Sequence, residues 1–283
     1  TTYFRSNYTG FYAQDVWKAR PGLTISYGLR WEPYFPPYVK QDRVSHFDHE
    51  LFAAGKHTSQ YTNAPAGLIY PGDPGYPGNG VAFSRWNIFR PRLGLAWDPK
   101  GNGSMSIRAA YGIFSDFTSL DTYNFYATEP PFGSSATATF PSNLAEPWQA
   151  TAGGNPFPLP PLNKNSSFVL NGTYENFPLH YKPPYAHEWN LSIQKQLGAD
   201  WLLQTNYVGN GYRHLPGSDQ GNPGIYIPGS CVINGVTTNP CSTVTNVNFR
   251  RKLYLQNPAQ GQYFLNIRQY VDGGTSSYNA LVL

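Results

Sequence analysis

Residues 23–31 read Leu23-Thr24-Ile25-Ser26-Tyr27-Gly28-Leu29-Arg30-Trp31. Every odd position is large and apolar, and every even one is polar or glycine. Successive side chains of a β-strand point to opposite faces, so this stretch has one apolar and one polar face. The pattern recurs. Residues 89–98 set Phe89, Pro91, Leu93, Leu95 and Trp97 against Arg90, Arg92, Gly94, Ala96 and Asp98. Residues 105–113 set Met105, Ile107, Tyr111 and Ile113 against Ser106, Arg108 and Gly112. Residues 188–196 set Trp189, Leu191 and Ile193 against Glu188, Asn190, Ser192 and Gln194. A strand crossing a bilayer needs about 9–11 residues, and each stretch has that length. The chain reads as all-β, an antiparallel transmembrane β-barrel segment.

Composition agrees. Charged residues make up 13% of the 283, about half the share of an ordinary soluble domain, and aromatics reach 16%. No uninterrupted apolar run exceeds four residues, far below the roughly 18 of a membrane helix. That excludes a helical membrane protein and leaves a barrel, whose signal lies in alternation. The net charge of +4 is small, and the longest basic run is Arg250-Arg251-Lys252, so nucleic acid is a poor partner. The first residue is Thr1 and the last, Leu283, falls inside an apparent strand; the expectation is a segment of a longer protein. Cys231 and Cys241 lie ten positions apart in a loop and are expected to form a local disulfide in an oxidising compartment.

Short turns alternate with long connections. Strands are expected over about 8–18, 23–34, 87–98, 104–116, 186–196, 201–211, 263–271 and from 276 onward, about eight in all. Ala19-Arg20-Pro21-Gly22, Pro99-Lys100-Gly101-Asn102-Gly103 and Leu197-Gly198-Ala199-Asp200 carry turn chemistry. Between the hairpins lie loops over about 35–86, 117–185 and 212–262, with a polyproline-like run over 156–161. Short turns at one end and long loops at the other are the pattern of outer-membrane barrels.

The hairpins resemble TonB-dependent outer-membrane receptors, and most of all the Oar-like group. The resemblance rests on the stretches Phe11-Tyr-Ala-Gln-Asp-Val-Trp-Lys18, 23–32, 89–98, Ile107-Arg-Ala-Ala-Tyr-Gly-Ile-Phe114, 188–198 and Ser277-Tyr-Asn-Ala-Leu281. It implies a plugged barrel of roughly 22 strands, of which this chain is a single partial domain without the plug or the N-terminal domain. It further implies a place in the bacterial outer membrane, contact with lipid, coupling to the TonB complex through a region outside this sequence, and uptake of a bulky solute. An oligosaccharide or a peptide would suit the Tyr-, Trp- and Asn-rich loops. Two alternatives stand beside this: a structural or adhesive barrel without energised transport, and a secreted soluble carbohydrate-binding module.

The function-like residues are charges on the polar face, Arg30, Glu32, Arg90, Arg92, Arg108 and Glu188, with Asp98. In a barrel they face the lumen, where they tune selectivity or form a structural ion-pair lattice. Trp17, Trp31, Trp97, Trp189 and Trp201 fall near strand ends, as the aromatic girdle of a barrel does. His46 and His49, three apart with carboxylates alongside, are read as ordinary loop-surface histidines rather than metal ligands. No spacing supports catalysis, a cofactor or a metal. Replacing Leu29 or Leu95 by Arg is expected to cost about 2–4 kcal/mol of folding into lipid vesicles, and Ser26→Arg or Ser106→Arg far less. Equal tolerance on both faces would break the facing assignment.

Overall fold

The computed structural model describes residues 3–133, 143–149, 154–155, 161–233 and 235–283; most of the run over 156–161 lies outside them. Eight strands form one sheet. They are β1 (Phe11–Arg20), β2 (Leu23–Trp31), β3 (Phe89–Trp97), β4 (Met105–Ser115), β5 (Gly172–Asn176), β6 (Tyr185–Leu197), β7 (Trp201–Gln220) and β8 (Phe264–Val282). Their order is β1-β2-β3-β4-β6-β7-β8-β5, open at both ends. Every pairing is antiparallel except that of β5 with β8.

Register carries the alternation across the whole sheet. Tyr27, Leu93, Tyr111 and Trp189 stand in one row. The adjacent row is Gln14, Gly28, Arg92, Gly112, Glu188, Asn210 and Tyr278. Slipping any pair by one residue would send its apolar side chains to the wrong face. The apolar face is bare: Leu29 is 48% exposed and Leu93 55%. An apolar sheet face of this extent needs lipid or a partner against it.

Turn chemistry closes the three hairpins. Gly22 has φ +75°, and a Cβ there would meet the Asp98 carbonyl at 2.8 Å. Asp98 does not point along the wall. Its carboxylate accepts from Lys100, Gly101 and Gly103 N–H, so it organises the β3–β4 turn.

The sequence suggests two strands near the C-terminus, and the structure has one. Residues 272–275, Asp-Gly-Gly-Thr, look like a turn but sit opposite a double register shift in β7 between Arg213 and Gly217. His214 takes φ +57°, and its Nδ1 lies 3.0 Å from the Asp272 carbonyl. A bulge adds residues without ending the ladder, so β8 continues for 19 residues and β7 runs on to Gln220. The eighth strand is β5, drawn from the second long connection.

The buried core lies in the connections and at the loop end of the sheet, where β5 and the start of β8 enter it. One cluster joins Tyr34, Val39, Tyr76, Tyr123, Phe177 and Tyr181. Another joins Phe47, Phe52, Leu68, Tyr174, Leu253 and Phe264. Both mix residues from distant connections, so the loops fold on one another as a cap at one end of the sheet. Phe264, 1% exposed, packs on Phe47 at 5.0 Å, Tyr174 at 5.1 Å and Phe52 at 5.9 Å between ring centroids. Phe264→Ala is expected to cost the cap about 3–5 kcal/mol. Limited proteolysis of the full-length protein should then cut within residues 35–86 more readily, with the strand ladder intact.

Candidate functional site

The polar face of the sheet carries two shallow concavities. One, of about 500 Å³, is lined by Arg92, Gly112, Phe114, Glu188, Asn210 and Tyr278. The second, of about 510 Å³, is lined by Tyr12, Gln14, Ser26, Gly28, Arg30 and Gly94. The even positions of the alternating stretches supply both. Arg92 stacks its guanidinium on the Phe114 ring at 4.6 Å, which holds a cation against an aromatic face. Glu188 and Arg108 are exposed, with no ion-pair partner among the described residues. These charges stand open on the polar face of the sheet.

Arg30, Glu32 and Arg90 behave differently, gathering at the loop end of the wall. Arg30 pairs with Glu32, and its Nη2 donates to the Tyr8 hydroxyl at 2.8 Å. The Tyr8 hydroxyl in turn donates to Glu32. The β3–β4 ladder stops at Arg92 and Gly112. Above that gap Arg90 turns inward, donates to Ser115 Oγ at 2.8 Å and stacks on Tyr185 at 4.9 Å. Burial opposes ionisation of Glu32, but hydrogen bonds from Tyr8, Ser115 and Arg30 outweigh it and hold the carboxyl below its usual range. This trio is a polar rivet between strand ends and loops.

Trp17, Trp97 and Trp201 stand toward the turn end of the sheet. Trp31 stands at the loop end, stacked with Phe11 at 6.0 Å and Trp86 at 6.2 Å. Trp189 lies inside β6, over β7: a Cβ on Gly209 would sit 2.6 Å from its indole. Among the polar residues that the register puts on the apolar face are Asp15, His187 and Asn279. Each has a tyrosine partner. Tyr27 donates to Asp15 at 3.0 Å and Tyr207 to Asn279 at 2.8 Å, and the Tyr111 hydroxyl lies 2.6 Å from His187 Nδ1. Lipid offers no partner to such groups; a tyrosine directly opposite Asp15, and one two positions from the pairing partner of His187 and of Asn279, are the signals that would have found them.

Cys231 and Cys241 are joined across a small hairpin of Cys231–Ile233 and Val236–Thr238. The two histidines are not loop-surface groups. His46 is largely enclosed, with Nδ1 3.0 Å from the Phe177 carbonyl, and burial lowers its pKa. His49 opens the helix His49–Ala53 and meets the Phe47 ring edge-on at 4.9 Å. Among the described residues no group of His, Cys, Asp or Glu is set to hold a metal.

The cap also buries two carboxylates that no sequence pattern marks. Glu129, 1% exposed, accepts from Ser45 Oγ at 2.6 Å and from the Glu175 N–H at 3.0 Å. It thereby ties the first connection to the second. Glu175, 2% exposed, lies 3.3 Å from Arg268 on β8. Burial pushes Glu129 well above the ordinary carboxylate range and lifts Glu175 to about 7 against the pull of Arg268. Both folded pKa values are raised, so both contributions are fully present below about pH 4.5, and that of Glu175 is lost as pH rises through about 7. Loop amide protection in the full-length protein should fall as pH rises through about 7, and Glu175→Gln should flatten that fall. A pH-independent cap would contradict the assignment.

The family model of the outer membrane beta barrel domain matches residues 1–283. No curated protein matches the chain. Two similar solved structures are the siderophore receptor PirA from Pseudomonas aeruginosa and a double mutant of the Serratia marcescens hemophore receptor HasR in complex with its hemophore HasA and heme. PirA is 11% identical with a TM-score of 0.37, covering 96% of this chain and 29% of its own. HasR is 10% identical with a TM-score of 0.41, covering 96% of this chain and 30% of its own. The chain thus spans less than a third of either receptor. With its alternating wall, short turns and packed loops, it belongs to the outer membrane beta-barrel domain family and lies in the outer membrane.

Proposed function

We propose that this chain forms part of the wall and the external cap of a TonB-dependent receptor that takes up a bulky solute. The observation that carries the reading is the asymmetry of its two ends. One end has three tight turns; the other has long connections packed into a buried core over the strand ends. An ordered external surface above a polar, concave wall suits capture of a ligand followed by passage along the lumen. Arg92, Arg108 and Glu188 face that passage, and a plug from elsewhere in the same protein would meet them. Trp17, Trp31, Trp97 and Trp201 anchor the wall at the lipid boundaries, with Trp189 bracing it between them. The chain has no catalytic role in this reading.

Energised uptake requires contact with the inner-membrane machinery. Full-length receptor, purified in detergent, is expected to bind the isolated periplasmic domain of TonB in a surface-immobilisation assay. A receptor that folds, inserts and shows no such binding would contradict energised uptake and favour an adhesive or structural barrel.

A further inference from the structure

The first long connection holds an open cleft of about 620 Å³ whose use the barrel wall does not explain. Phe35, Tyr38, Phe83 and Trp86 supply ring faces, and Asn7, Asn79 and Ser84 supply polar groups. Among the described residues no charged side chain lines it. Trp86 is 60% exposed yet firmly placed. Its ring stacks on Trp31 at 6.2 Å and meets Phe35 edge-on at 5.1 Å, and its carbonyl accepts from Trp31 Nε1 at 2.6 Å. A large apolar ring held in water at a fixed angle is a platform, already ordered before anything binds.

The polar groups point to the ligand class. The side chains of Asn7, Asn79 and Ser84 have no hydrogen-bond partner among the described residues. Each asparagine amide offers both donor and acceptor, which matches hydroxyl groups. With no opposing charge, the cleft has nothing to offset the desolvation of an ionic ligand. The backbone at its floor is already paired, Val39 N–H to the Asn79 carbonyl at 3.1 Å and Val81 N–H to the Pro37 carbonyl at 3.0 Å. An extended peptide would therefore find no free strand edge there.

We infer that this cleft binds a neutral saccharide chain, with the apolar face of a sugar ring on Trp86 and hydroxyls on the Asn7 and Asn79 amides. The inference deepens the receptor reading by naming a ligand class for its external surface. Because Trp86 adjoins the Trp31–Phe11 stack at the edge of the apolar wall, the saccharide comes either free from the medium or from a glycolipid of the outer leaflet.

The test uses full-length receptor in nanodiscs without an energy source, read by calorimetry and tryptophan fluorescence. Maltohexaose and cellohexaose probe the free source, and lipopolysaccharide bearing a neutral polysaccharide probes the membrane source. At least one should bind, and the double variant Asn7→Ala/Asn79→Ala should weaken that binding about tenfold, the size expected for two lost hydrogen bonds. Trp86→Phe should weaken it less than Trp86→Ala. Binding of only the oligosaccharides assigns the free source; binding of only the lipopolysaccharide assigns the glycolipid. No binding of any probe, or binding indifferent to the amide variants and to Trp86→Ala, overturns the inference. TonB binding is read separately, so saccharide failure with TonB contact intact leaves the uptake reading standing, and the converse leaves the cleft.

Discussion

Backbone hydrogen bonding governs this chain. Lipid provides no partner for an N–H or C=O, so every residue of a membrane wall must pair with a neighbouring strand. The β1-β2-β3-β4-β6-β7-β8 ladder does this between its two open edges, except where β3 and β4 part above Arg92, and in doing so fixes the register. Once register is fixed, the period-two alternation decides which side chains meet lipid and which meet the lumen. The apolar face, the polar concavities and the tyrosine-satisfied Asp15, His187 and Asn279 all follow from that pairing.

Above the wall the physics changes. The cap is stabilised by buried rings, as a soluble domain is, but it also encloses Glu129 and Glu175. Enclosed carboxylates are costly unless protonated or paired. Glu129 has only neutral donors in Ser45 Oγ and the Glu175 N–H, whereas Glu175 has Arg268. These bonds join segments far apart in sequence, so protonation and loop packing are coupled. The same arrangement leaves Trp86 bare at the rim while Tyr34, Tyr123 and Tyr181 close the interior behind it.

The wall was legible in the sequence because its determinants are local. Alternation over nine residues, Pro21-Gly22 and Gly198 at the turns, and tryptophans near strand ends need no distant partner to be read. The continuity of β8 was not legible, since Asp272-Gly273-Gly274 has the chemistry of a turn and becomes a bulge only opposite His214. Arg30, Glu32 and Arg90 read as lumenal charges because alternation extends naturally to the strand ends. There the β3–β4 ladder gives out and Arg90 turns inward. His46 reads as a surface residue because nothing nearby reveals that Phe177, 131 positions away, will cover it. Glu129 and β5 depend wholly on such long-range contacts.

The most direct test of the account is the two-sided nature of the wall in a bilayer. Spin labels placed singly at positions 29, 93 and 191 and at 92, 188 and 210 of the full-length protein in nanodiscs would be read by collision with oxygen and with a water-soluble nickel chelate. The account predicts high oxygen accessibility for the first set and low for the second. Equal accessibility at both sets, or the reverse order, would contradict it.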